Sequence, residues 1–507
     1  MKKTTQILLL LIITLFSQSC VKDLPELNSD PNNSTQADPD LLFKFAVKRG
    51  MGSYLTASHL EYNGLHQWMM YFANRGGVEP GNEYPIPTGG DGFWNETYID
   101  AMNNAEVIIR EADAHPEWVN KKAAATIWKT FMMHRVTDLW GAAPYSEAFK
   151  GNPALEFTPA YDSQEKIYLQ MLNDLEQAAT AFDWAMPFYD ASSDLIFGGD
   201  MEAWIRFANS LRFRLAMRLV EVQPQTTQTE LNALSQALMI SDESQTAAFQ
   251  FNSVFNKPLL EAAMIRYQEG EQYINPSKFL TDLLKTTNDP RIGYFLNKTS
   301  LSDAFPFIDE YRGVPNLVAY NSEIWQNYNL DAQLGDPLGS WGDVSRIGNW
   351  YLNNDRPMPL ISFSEMCFLK AEAALKGMWP GDPMDYLKQG INAHMIYMNA
   401  YATEPLISES DIQNYINTIN EVDLKQIITQ KYLLFAYENV FESFAEFRRT
   451  GYPVLSDYDG NPINTQIFPK RLRYPYSEFT YNRNNYLNII EQQGADSQLT
   501  PIWWAKE

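Results

Sequence analysis

Three kinds of side chain in this 507-residue chain could do chemistry: histidines, carboxylates and aromatic rings. The five histidines (His59, His66, His115, His134 and His394) are scattered without metal-ligand spacing. His134 lies on an apolar helical run, where a histidine is more often a hydrogen-bonded core residue than a ligand. No His-Glu-x-x-His, no Gly-x-Ser-x-Gly and no phosphate-cradling glycine loop is present. The 62 acidic residues include no spacing that marks an acid–base pair, although glycoside hydrolysis needs only two that meet in space. Asp457-Tyr-Asp-Gly-Asn461 opens like a calcium loop. Pro462 then stands where such a loop needs glycine, and Phe468 where the closing glutamate belongs, so the spacing predicts a plain turn. The chain is expected not to be an enzyme, and to need no cofactor and no metal.

The rings point elsewhere. Aromatic residues make up 14% of the chain, with 13 Trp and 28 Tyr. Many fall in two stretches without periodicity, residues 74–92 and 249–350, and long loops of this kind are usually functional or disordered. The first carries Arg75 and Tyr84 and runs into Trp94. The second carries Trp325, Tyr328, Trp341 and Trp350 among Gly335, Gly339, Gly342 and Gly348. Rings offer wide contact area at low conformational-entropy cost, and a guanidinium adds directed hydrogen bonds. Taken singly, each ring could also serve local packing or a protein interface.

Helices must hold these loops. Apolar periodicity predicts helices over Asp40–Gly50, Ser58–Phe72, Phe93–Ala112, Lys121–Leu139 and Ser163–Phe182. Asp200–Val220 is the cleanest amphipathic run, with Trp204, Phe207, Ala208, Leu211, Leu215 and Leu219 on one stripe. Arg206, Arg212, Arg214 and Arg218 border that stripe, facing water or pairing with carboxylates. Further helices are expected at Ser362–Gly377, Asp385–Ala400 and, as one long element, Leu424–Arg449. The pairs around Pro144 and Pro380 read as helix-turn-helix units of tetratricopeptide type, without a strict period.

Several stretches together resemble the SusD/RagB family of Bacteroidota outer-membrane lipoproteins, in its SusD-like 2 branch. They are Thr137-Asp-Leu-Trp-Gly-Ala-Ala-Pro-Tyr-Ser-Glu-Ala148, Pro159-Ala-Tyr-Asp-Ser-Gln-Glu-Lys-Ile-Tyr168 and Trp204-Ile-Arg-Phe-Ala-Asn-Ser-Leu-Arg-Phe-Arg-Leu-Ala-Met-Arg218. Ser364 to Ala373, Gln430-Lys-Tyr432, Arg448 to Pro453, Arg471-Leu-Arg-Tyr-Pro475 and Trp503-Trp504 complete the set. The resemblance implies a mainly α fold of irregular tetratricopeptide-like helical pairs with long loop-rich insertions. It also implies a surface protein that captures oligosaccharides for a SusC-like TonB-dependent transporter, without catalysis. In glycan-binding relatives the corresponding loops carry the aromatic platform, so Arg75, Tyr84, Trp94, Trp325, Tyr328, Trp341 and Trp350 become the candidate ligand contacts, held out from the helical frame. Asp138, Trp140, Pro144, Tyr145 and Asn209 read as structural. Some relatives bind structural calcium. Oligopeptide capture, or a scaffold for surface hydrolases that binds no small ligand, are the alternatives.

The N-terminus agrees. Lys2 and Lys3 precede an apolar run, Ile7 to Phe16, too short to span a bilayer. It stops just before Cys20, and the pattern resembles a lipoprotein signal, with Ser17 where leucine is usual. Residues 1–19 are therefore expected to be a signal peptide, 20–40 a tether lipidated at Cys20, and 41–507 one domain at the outer-membrane surface. A formal charge of −23 argues against nucleic acid partners. Cys367, in a helical pattern, is expected to be a buried, inert thiol.

Overall fold

The computed structural model describes residues 38–52, 57–74, 83–151, 154–251, 274–319, 322–328, 330, 343–353, 356–402 and 406–505. Residues 40–507 form one compact unit. Cys20 and the tether up to residue 37 lie outside the described residues.

The fold is mostly helical. Helix α1 spans Pro39–Gly50, and α2, Asn103–Glu111, continues a helical run that begins at Gly90 and passes through a π-helical stretch, Glu96–Met102. Asp40 sits in the first turn of α1 and pairs with Lys121 at 2.6 Å. The run expected to be helical from Ser58 to Phe72 is helical only to Trp68, and Phe72–Asn74 is strand β1. Helix α3, Val119–Trp140, is buried on nearly every face. It stops at Gly141, whose φ of +83° suits a residue without a side chain. The stop is pinned by Tyr98, whose hydroxyl donates to the Pro144 carbonyl at 2.7 Å, and by Trp504 Nε1, which donates to Asp138 at 3.1 Å.

The chain returns as α4, Gln164–Thr180, capped by Ser163, then α5, Met201–Arg218, capped by Asp200, and α6, Pro224–Leu234. Asn209 donates to the Leu238 carbonyl at 2.9 Å, the structural role expected of it. Strand β2, Ala247–Phe249, pairs antiparallel with β4, Met358–Ile361, while β3, Ile274–Pro276, pairs with β1. Helix α7, Lys278–Thr286, capped by Ser277, lies inside the stretch expected to be loop. Helices α8, Phe363–Leu375, and α9, Pro383–Ala400, form a closely packed pair, followed by α10, Glu409–Asn417. The single helix expected over Leu424–Arg449 is two, α11 (Leu424–Phe435) and α12 (Val440–Thr450). Tyr437, at φ +63°, turns the chain between them because its buried ring stacks on Phe72. Helix α13, Arg483–Gln493, lies near the C-terminus.

The arginines of α5 enter the core. Arg214 grips Glu365 with two bonds of 2.7 Å, and Arg218 reaches Glu442 and Glu446, each at 2.5 Å. Arg449 holds Glu372 at 2.6 and 2.8 Å, and Lys431 joins Glu446 at 3.2 Å. Four cations thus face four carboxylates, which lowers the cost of burying charge between α5, α8, α11 and α12.

Candidate ligand-binding site

A cavity of about 780 Å³ lies where three segments meet: residues 290–298, residues 349–353, and residues 401–402 with 406–411. This is within the ordinary range for small-ligand sites. The first segment follows α7 and is anchored by Asp289. Its carboxylate accepts from Arg291 Nε at 2.8 Å, and Arg291 continues to His394 at 2.9 Å and Gln430 at 2.8 Å. That buried knot ties the short helix Ile292–Phe295 to α9 and α11. The second segment is the 3-10 turn Asn349–Leu352. The third comprises residues 401–402, just past α9, and 406–411, which lead into α10.

Rings form one part of the wall. Trp350 Nε1 donates to the Met398 carbonyl at 2.7 Å, and the Arg356 guanidinium lies 4.1 Å from the Trp350 ring centre. Tyr294 lies 6.3 Å from Trp350 at 28°, its hydroxyl donating to Asn399 at 2.7 Å. Tyr311 and Tyr401 are half-buried at the margin. Burial, helped by Glu310, raises the Tyr311 phenol, so it stays neutral and able to donate.

Amides form the other part. Asn297 Nδ2 donates to Asn349 Oδ1 at 3.0 Å and to the Ile347 carbonyl at 2.9 Å. Asn353 Nδ2 donates to the Tyr401 carbonyl at 3.0 Å. Asn349 is exposed, and its Nδ2 has no partner among the described residues. Lys298, paired with Glu310, and Asp411 stand at the rim. Asp411 is the only carboxylate among the described residues of this lining.

The candidate residues read from the sequence are not gathered in one place. Trp350 enters this cavity. Trp94 instead lines a separate one of about 420 Å³, beside Tyr98 and Phe149, and packs edge-on against Trp140 at 5.1 Å. Tyr84 is buried edge-on against Phe468, and Trp325 belongs to a small satellite core with Val314, Val318 and Val344. Tyr328 is half-buried, with the Arg312 guanidinium 3.7 Å from its ring centre. Arg75 and Trp341 lie outside the described residues. The expectation that these rings are held out from the frame is corrected for Tyr84, Trp94, Trp325 and Trp350, which are at most 8% exposed. A large ring removed from water gains several kcal/mol, about 25 cal/mol per Å², and loop rings collapse inward when a pocket is at hand. Tyr294, Tyr401 and the three asparagines were missed. Asn288-Asp-Pro-Arg291 has the composition of a turn, but nothing local shows what that turn delivers.

His134, Asp138 and Glu442 form a buried trio close enough to share an ion. Arg214 and Arg218 already face that trio, and His134 Nε2 lies 2.9 Å from Glu442. Burial pushes the Glu442 carboxyl up, but the two guanidinia outweigh it and hold it well below the usual carboxylate range. The chemistry is that of a salt-bridged core. Cys367 is buried, and desolvation pushes its thiol up to about 12, leaving it unreactive. The Asp457 turn closes on itself, its carboxylate accepting from the backbones of Asp459 and Asn461 at 3.0 and 2.9 Å.

No curated protein matches the sequence. Among solved structures, a chitin-binding protein is 24% identical, with a TM-score of 0.79 over 93% of this chain and 100% of that one. A chitin-binding SusD homolog from Flavobacterium johnsoniae is 24% identical, with a TM-score of 0.72 over 92% and 98%. A SusD homolog from Bacteroides fragilis is 20% identical, with a TM-score of 0.75 over 91% and 100%. At these identities the likeness establishes the fold. The profile of the SusD-like 2 family, described as starch-binding and associating with the outer membrane, matches residues 31–475. With the helical frame and the ordered motifs along it, that match over most of the length places this chain in the SusD-like 2 family.

Proposed function

We propose that the protein captures an extracellular oligosaccharide in the cavity around Trp350 and hands it, chemically unchanged, to a SusC-like TonB-dependent transporter. It does so from the cell surface, held to the outer membrane by lipid on Cys20. The observation that carries this reading is the make-up of the cavity in a chain of this family: rings for sugar C–H faces and asparagine amides for hydroxyls. Among the described residues the lining holds a single carboxylate, where glycoside hydrolysis calls for two. Among the described residues no helix is long and apolar enough to cross a membrane, in keeping with a lipid anchor.

Two similar structures carry chitin-binding names, which makes N-acetylglucosamine oligomers the first ligands to try. Titration calorimetry with chitohexaose and maltohexaose is expected to show binding without turnover. Asn349→Ala and Tyr401→Ala are each expected to weaken it about five- to tenfold, the loss of one hydrogen bond or part of one stacking contact, with the thermal transition unchanged. Trp350→Ala is a poorer probe, because emptying a buried tryptophan site costs about 3–5 kcal/mol of stability. Binding indifferent to both variants would remove the ligand from this cavity. Release of shortened sugars would end the capture-only reading.

A further inference from the structure

The C-terminal segment builds a second cleft, of about 470 Å³, that shares no lining residue with the first. Its backbone is stapled to the end of α3. Leu472 N donates to the Leu139 carbonyl at 2.7 Å, Trp140 Nε1 to the Arg473 carbonyl at 2.8 Å, and the Tyr474 hydroxyl to the Ala142 carbonyl at 2.6 Å. Asp496 closes the far side, accepting from Tyr474 N at 3.1 Å, the Tyr486 hydroxyl at 3.2 Å and the Arg471 guanidinium. The cleft is therefore a rigid feature of the frame.

Its walls are rings. Tyr476 is 73% exposed and lies 5.7 Å from Phe479 at 35°. Phe479 is fixed edge-on against Tyr486 at 5.8 Å, with the Arg483 guanidinium 4.3 Å from its centre. Two charged side chains at the cleft, Arg473 and Asp91, are exposed and make no side-chain hydrogen bond or ion pair among the described residues, though the charge of Arg473 is felt by the Tyr486 phenol. The sum of these features is a nearly neutral cleft. It offers an open ring face, an unclaimed fork of N–H donors and an unclaimed carboxylate acceptor. Vicinal hydroxyls are both donors and acceptors, and pyranose C–H faces stack on rings, so each of these groups finds its counterpart on a neutral sugar.

We propose that this cleft is a second saccharide-binding site, taking a neutral segment of one or two sugar units on Tyr476 between Arg473 and Asp91. The proposal rests on the saccharide reading given above. Two sites on one frame would let a polymer engage both and be held far more firmly than by either alone, provided its span matches theirs.

The test uses the full chain and chitohexaose and maltohexaose as probes, followed by calorimetry. Two binding events are expected for at least one of them. The double variant Arg473→Ala/Tyr476→Ala should weaken one event at least about tenfold and leave the other within about twofold. Asn349→Ala and Tyr401→Ala should do the reverse, and Tyr476→Phe, which keeps the ring, should retain the second event to within a few-fold. Both residues of the double variant are exposed, so an unchanged thermal transition is expected and checked. A single event, lost in Tyr401→Ala and untouched in the double variant, would overturn the second site and spare the first. Absence of binding to either probe would overturn both.

Discussion

His66 shows what a buried side chain costs when nothing answers it. Neither ring nitrogen has a hydrogen-bond partner among the described residues, and Tyr71, Phe72 and Tyr437 surround the ring. Burial pushes its pKa from 6.5 down to about 3. The unfolded chain takes up this proton near pH 6.5 and the folded chain only near pH 3. Its contribution to stability is therefore complete above pH 6.5 and is lost as the pH falls towards 3. His66→Phe removes the titration and keeps a ring in the cluster. Acidification from pH 7 to 3 is expected to lower wild-type stability more than that of the variant, by something of the order of 4 kcal/mol. Denaturant melts across that range would read it, and parallel pH slopes would show that His66 does not titrate on unfolding. The candidate rings follow the same rule of burial. Trp325 and Tyr84 looked like ligand contacts because their sequence neighbours are irregular, yet irregular backbone says nothing about which way a ring points.

At the scale of elements, the α8–α9 pair shows how a small residue sets a helix contact. A Cβ on Gly390 would lie 2.5 Å from the nearest atom of the Phe368 ring, a side chain that is itself fully buried. The neighbouring Ser364 hydroxyl donates to the Gly390 carbonyl at 2.6 Å, so the pair is also joined by a hydrogen bond at closest approach. Gly390→Ala raises helix propensity by about 1 kcal/mol. Overpacking at this contact is expected to exceed that gain and leave the variant less stable, by about 1–2 kcal/mol on thermal or chemical melting. A more stable variant would mean that the helices part without cost. Helix starts were legible where the cap was a polar side chain, as at Ser163, Asp200 and Ser362. The division between α11 and α12 was not, because no glycine or proline marks it. Tertiary stacking of Tyr437 holds the turn.

At the scale of the whole molecule, the proposed anchor and the helical frame are tested apart. Cys20→Ser is expected to move the protein from the membrane fraction to the soluble fraction while the soluble form still binds chitohexaose or maltohexaose as the wild type does. Retention in the membrane fraction would remove lipid on Cys20 as the anchor. What the sequence determined by itself was the family, the helical class and the order of most helices. These follow from local periodicity, caps and short motifs, each read within a few residues. What only the tertiary structure decided was which side chains meet. Arg214 and Arg218 could have faced water, and instead they meet Glu365, Glu442 and Glu446 across more than 140 residues of chain. Tyr294, Trp350 and Tyr401 are likewise far apart in sequence and share one cavity wall. A periodicity repeats what neighbours along the chain do, whereas a binding wall depends on how distant segments come to rest against one another.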